Sequence, residues 1–327
     1  MKSKRNINTK EICDQIKKGN ITALSKAITL SESNIDSDQE LANKILANLK
    51  TKNNDSIRIG ITGVPGAGKS TFIESFGNHI TNLGLKLAVL TIDPSSSVTK
   101  GSILGDKTRM ETLSANKNVF IRPSPASNFQ GGVGKNTRES IFLCESAGYD
   151  IILIETVGVG QNEISVAEMV DFFLLLKISG SGDELQGIKR GIIEMSDLIA
   201  INKCDGDNVK DSIKAKNEFK LALQLFPKKK SNWKPQVLTC SSLTGEGLAE
   251  IWECITNYVN LTKKNNYFYE NRINLNKSWL LQIIDHSLRK SFFNRKSIKI
   301  KLNNLIKKIE EQKISIFEAS RKILSEI

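Results

Sequence analysis

Residues 57–70 read Ile57-Arg58-Ile59-Gly60-Ile61-Thr62-Gly63-Val64-Pro65-Gly66-Ala67-Gly68-Lys69-Ser70. Residues 57–62 form a short run rich in Ile and Thr, the pattern of a buried strand. Glycines and a proline then interrupt it, and Phe72, Ile73 and Phe76 resume at helical spacing. Gly63 to Ser70 fits G-x-x-x-x-G-K-[ST] between a strand and a helix. In that setting glycines let successive backbone N–H groups converge on one anion, and the helix N-terminus adds its positive end. The pattern places Gly63, Val64, Pro65, Gly66, Ala67, Gly68, Lys69, Ser70 and Thr71 around a triphosphate. Lys69 is expected to reach the β- and γ-phosphate oxygens, and the Ser70 hydroxyl to bind Mg²⁺.

Further β-rich runs occur at 86–92, 119–121, 151–155, 172–178, 198–202 and 236–239, separated by helical stretches. Strands alternating with helices predict an α/β fold, a mostly parallel sheet covered on both faces. Asp93 and Glu155 each close an apolar strand, so both carboxylates emerge at strand C-terminal ends, where open α/β sheets place ligands. They are candidate magnesium-site and catalytic acids. Glu155-Thr156-Val157-Gly158 has the acidic-x-x-Gly form in which the Gly158 amide bonds a terminal phosphate and moves when it leaves. Val159, next in the chain, cannot orient water as a glutamine would, so slow hydrolysis by the chain alone is expected.

Asn202-Lys203-Cys204-Asp205 follows the 198–201 strand. A carboxylate at Asp205 can accept hydrogen bonds from both N1–H and the 2-amino group of guanine, whereas adenine offers neither. GTP and GDP are thus favoured over ATP. Ser241, Ser242 and Leu243 are expected to supply amides near guanine O6.

The flanks read differently. Residues 1–54 form a helical lead-in punctuated by Asn8 three residues before Glu11, by Gly19-Asn20, and by a capping box at Ser37-x-x-Glu40. Residues 55–262 make the nucleotide-binding domain. In 263–327 the β signal disappears. Leu280, Ile283, Ile284 and Leu288 outline one amphipathic helix, and Leu302, Leu305, Ile306 and Ile309 a second. Ser315-x-x-Glu318 caps a third, with Ile316, Ala319, Ile323 and Leu324. Their apolar faces must bury against the same chain or a second copy.

The 327 residues carry 47 Lys or Arg and 35 Asp or Glu, a net charge of +12. Residues 271–327 account for +8 of it, with 13 basic and 5 acidic residues. Those lysines alternate with Ile and Leu and lack aromatic platforms, which fits a solvated helix face and not a nucleic-acid groove. The apolar run at 172–176 is far below the ~20 residues of a membrane span, and the first six residues lead into no apolar signal region. A cytoplasmic protein without membrane or nucleic-acid partners is expected. Five scattered cysteines and two histidines support neither a disulfide framework nor a His/Cys metal cage, which disfavours a nickel-delivering GTPase.

The chain resembles the methylmalonyl-CoA-mutase-associated GTPases of the MeaB/ArgK type. The resemblance rests on residues 23–33 (ALSKAITLSES), 60–71, 93–110 (DPSSSVTKGSILGDKTRM), 121–124 with Gly131-Gly132-Val133, 155–161 (ETVGVGQ), 182–191 (GDELQGIKRG) and the Asn202–Asp205 loop. It departs at Lys100, where glycine is commoner, and at Ser97 and Cys204. The resemblance implies a SIMIBI-class P-loop fold and a homodimer built through C-terminal helices. It also implies a GTP-hydrolysing chaperone that gates cobalamin delivery to, and protects, a cobalamin-dependent acyl-CoA mutase. By the same likeness Asp93, Asp106 and Glu155 are the magnesium-site acids. Asp183, Gln186 and Lys189 fall in a loop that responds to nucleotide and communicates with the mutase, with Gln186 or Lys189 approaching the nucleotide for hydrolysis. A protein kinase linked to arginine/ornithine transport is the competing reading.

Overall fold

The computed structural model describes residues 8–49, 55–93, 110–125, 132–156, 162–180 and 190–326. Among them seven strands form one sheet in the order β3-β2-β4-β1-β5-β6-β7. These are β1 (Ile57–Gly63), β2 (Leu87–Asp93), β3 (Val119–Pro125), β4 (Ile151–Glu155), β5 (Phe172–Ile178), β6 (Leu198–Asn202) and β7 (Gln236–Thr239). Every neighbouring pair is parallel. β1 is the central strand, with Ile61 opposite Glu155 of β4 and Gly63 opposite Leu176 of β5. The strand order therefore changes direction at β1, and the crevice at its C-terminal end is where such sheets bind ligands.

Both faces of the sheet are buried, which is why its strands read as unbroken apolar runs. Along β2, Leu87 and Val89 join a core with Phe72, Phe76 and Leu113 on one face. Ala88, Leu90 and Ile92 join a second core on the other face, with Leu24, Ile28, Ile45 and Ile141. Leu24, Ile28 and Ile45 belong to the helices Ile21–Glu32 and Asp36–Asn48, so the helical lead-in covers the sheet directly. Caps fix these helices. Asn8 Oδ1 accepts from Glu11 N at 3.4 Å, and Asn20 Oδ1 from Ala23 N at 2.9 Å, just after Gly19 (φ 79°) ends the first helix. Ser37 does not cap as its spacing suggested. Ile35 is the N-cap residue and makes no side-chain cap bond. Ser33 organises this turn instead, accepting from Ile35 N at 3.2 Å and donating to Asp38 Oδ2 at 2.8 Å.

At the N-terminal ends of β1 and β5, charged groups close on one another. Arg58 donates from Nε and Nη2 to the two oxygens of Glu145 at 2.8 and 2.9 Å, and Ser56 Oγ donates to Glu145 at 2.8 Å. Arg272 donates to both oxygens of Asp171 at 2.8 and 2.6 Å and lies over the Phe268 ring at 4.5 Å. Burial works against the Arg272 charge, but Asp171, then Glu145 and Asp55, outweigh it and raise its pKa.

The described residues divide into two compact units, 1–273 and 274–327. In the second, helices Lys296–Glu310 and Ile316–Leu324 bury Ile298, Leu305, Ala319 and Ile323 against one another. Ser315 caps the last helix, accepting from Glu318 N at 3.1 Å. On the helix Tyr267–Asn294, Leu280, Leu281, Ile284 and Leu288 are exposed. No helix among the described residues is long and apolar enough to cross a membrane.

Candidate functional site

β1 ends at Gly63, where an added Cβ would lie 2.4 Å from the Leu176 carbonyl oxygen of β5. Only glycine lets the chain pass so close. Gly66 and Gly68 both take φ +83°, and Gly68 is the N-cap of the helix Lys69–Asn82. This backbone turns the 63–69 segment into a cradle over the helix N-terminus. Lys69 Nζ donates to Gly63 O at 2.8 Å and to Val64 O at 3.4 Å, spanning the cradle. Burial lowers the Lys69 pKa, and the charges of Glu155 and Glu163 oppose that shift. Ser70 is half-buried at the helix start and Thr71 is exposed, while Phe72, Ile73 and Phe76 are fully buried and anchor the helix.

Asn202 ties the cradle to the 241–243 loop. Its Nδ2 donates to Ala67 O at 2.9 Å, and its Oδ1 accepts from Ser242 N at 3.0 Å and Ser242 Oγ at 2.8 Å. An added Cβ on Gly68 would sit 2.9 Å from Asn202 Nδ2, so the packing as well as the dihedral requires glycine. Ser75 Oγ, two turns into the helix, donates to Ser242 O at 2.5 Å. Lys203 takes φ +59°, and the Lys203 stem comes within 3.9 Å of where a Gly68 Cβ would stand. The cradle, residues 202–205 and residues 241–243 thus form one connected surface. Asp205 accepts a hydrogen bond from Ser241 Oγ, and the same hydroxyl accepts from Thr244 N at 3.1 Å. The carboxylate is therefore aimed by a side chain that is itself fixed. Leu243 is 83% exposed beside it.

Asp93 closes β2 and Glu155 closes β4, its paired neighbour, in the register Thr91 to Glu155. Glu155 is half-buried. Thr156 begins the next segment with N–H on Ile61 O at 3.0 Å and Oγ1 on Thr62 Oγ1 at 2.9 Å, fully buried. That pair pins the start of the acidic-x-x-Gly segment to β1. Asp106, Gly158, Asp183, Gln186 and Lys189 lie outside the described residues.

Sequence reasoning gave Ser241 a backbone role and missed its hydroxyl as the partner of Asp205. It also missed Ser75, which lies outside the motifs, and the bond between Thr62 and Thr156, which occupies a free position of the acidic-x-x-Gly motif. Burial pushes the Cys240 and Cys254 thiols up to about 12, so they stay neutral, and the Cys240 thiol donates to Asn202 Oδ1 at 3.7 Å.

Sheet order, glycine cradle and the Asn202-Lys203-Cys204-Asp205 motif together define a P-loop GTPase. The chain belongs to the family described as methylmalonyl-CoA mutase-associated GTPase MeaB, which it matches over residues 24–297. It is 43% identical over 286 residues to the GTPase ArgK of Escherichia coli, covering 86% of each chain. It is also 43% identical over 302 residues to the mitochondrial methylmalonic aciduria type A homolog of Mus musculus, covering 89% of this chain and 73% of that one. A solved structure described as a LAO/AO transport system kinase superposes with a TM-score of 0.75 at 33% identity, covering 98% of both chains.

Proposed function

We propose that this chain is a GTP-hydrolysing chaperone that gates cobalamin delivery to methylmalonyl-CoA mutase or a related acyl-CoA mutase, and protects that enzyme. The observation that carries the nucleotide chemistry is the Asn202 bridge. It sets the phosphate cradle and the Asp205 carboxylate in one frame, so a single guanosine triphosphate can engage both. The mutase role is supported by family membership and by the mouse relative.

In this reading Lys69 moves from the Gly63 and Val64 carbonyls to the β- and γ-phosphate oxygens. It stabilises charge as the bond from the γ-phosphorus to the bridging oxygen breaks and water adds, giving GDP and inorganic phosphate. Ser70, Asp93 and Glu155, with Asp106, would hold Mg²⁺. Hydroxyl and carboxylate oxygens are the donors this hard ion takes, and Asp93 and Glu155 end adjoining strands beside the cradle. Bound there, magnesium neutralises phosphate charge. Gln186 or Lys189, brought in when a partner binds, would complete the site for the attacking water. The exposed stripe Leu280, Leu281, Ile284 and Leu288 supports a homodimer through 263–327, and we place the protein in the cytoplasm.

Multiple-turnover GTPase assays with and without the mutase test the proposal. A slow basal rate that the mutase accelerates is expected, and a fast rate unchanged by the mutase overturns it. The kinase reading draws on the LAO/AO structural relative; transfer of γ-phosphate to a protein acceptor, in place of release as inorganic phosphate, would favour it.

A further inference from the structure

At the other end of the sheet from the nucleotide site, before β7, lies a groove of about 600 Å³. Its walls are Leu223, Phe226, Pro227 and Pro235, and its rim carries Lys220, Lys228 and Lys234, all exposed. Glu194 is the one acid among the described residues that line it. The groove is held rigidly. Lys229 Nζ donates to Met195 O and Ser196 O at 2.8 Å each and to Asp197 Oδ1 at 2.6 Å, which fastens the 227–235 loop to the turn before β6. Trp233 Nε1 donates to Asp197 O at 2.9 Å, and Asn265 Nδ2 to Ser231 O at 2.9 Å. Beside the groove Leu221 and Leu225 are 65% and 79% exposed.

We propose that this groove docks an acidic, aliphatic peptide segment of a partner protein. Charge selects the occupant: the cations on the rim face solvent, whereas Lys229, the lysine of the floor, is already matched by Asp197. Complementary rim charges of this kind raise encounter rates and set partner choice, and the apolar walls hold what arrives. A groove already in its binding shape avoids the ordering cost that weakens flexible sites. Nucleic acid is disfavoured because Trp233 is 7% exposed, with its ring edge-to-face against Tyr258, and so offers no face for a base. Leu198 and Gln236 begin the strands at this end, whereas Asn202 ends β6 at the nucleotide. A five-residue strand spans roughly 16 Å, so both sites can be filled together.

The test uses the full chain and a fluorescein-labelled twelve-residue peptide alternating Asp or Glu with Leu, read by anisotropy. Saturable binding is expected. In the K220E/K228E/K234E variant the peptide should bind at least about tenfold more weakly, as it should in 0.5 M salt, with labelled-GDP affinity and Tm unchanged. Should the triple variant lose its fold, Lys228→Glu alone is read the same way, with about threefold weakening expected. Absence of saturable binding, or equal binding by wild type and the folded variant, overturns the proposal. So does an oligo-dT of equal charge that binds more tightly than the peptide and is lost in the same variant.

Discussion

At the N-terminal ends of the strands, Arg58 and Arg272 meet Glu145 and Asp171 across the chain, carboxylate to guanidinium at 2.6–2.9 Å. At the C-terminal ends, Lys69 donates to two neutral carbonyl oxygens of its own loop. Both ends hold cationic side chains, but the partners of those cations differ in kind. A cation held by full opposite charges is costly to move, because separating the pair leaves buried charge uncompensated. A cation held by carbonyls loses little when a better acceptor arrives. One end is therefore built to stay as it is, and the other holds its cation by bonds that a phosphate could take over, as the proposed function requires.

Removing the cation at each end should have opposite consequences. Lys69→Ala should reduce GTP turnover by roughly 10³-fold or more in single-turnover phosphate release, while leaving the Tm within a few degrees. A parallel fall in Tm would mean that Lys69 is structural after all. Arg272→Ala should cost about 3–5 kcal/mol in urea unfolding, with GTP affinity per folded molecule preserved. A loss below about 1 kcal/mol would erase the contrast between the two ends. Asp205→Asn sharpens the reading of the functional end. It should weaken GTP by about 1.5–3 kcal/mol in calorimetry and leave ATP unaffected; undiminished preference for guanine would remove Asp205 as the base reader.

Much of this arrangement was legible because burial writes itself into strands. The runs at 151–155, 172–178, 198–202 and 236–239 are strands with those bounds. The β-rich run at 119–121 covers only the start of β3, which runs from Val119 to Pro125. β3 continues to Pro125 because it is an edge strand, where a missing N–H costs no ladder bond. Arg122 is meanwhile held by Glu32 of the lead-in helices. Ser37 misled because a capping box is a local pattern, and Ser33 outcompeted it through contacts of its own. The cradle and Asp205 announce themselves by spacing. The Asn202 to Ala67 bond joins positions 135 residues apart, and no local pattern encodes which carbonyl an amide will reach. The charged closure at Glu145, Asp171 and Arg272 was missed for the same reason.

The Asn202 carboxamide holds the 63–69 cradle with its nitrogen, on Ala67 O, and the 241–243 loop with its oxygen, on Ser242. Under the proposed function, the loop that would meet the purine and the cradle that would meet the phosphates share that side chain, so displacing either one strains a hydrogen bond of the other.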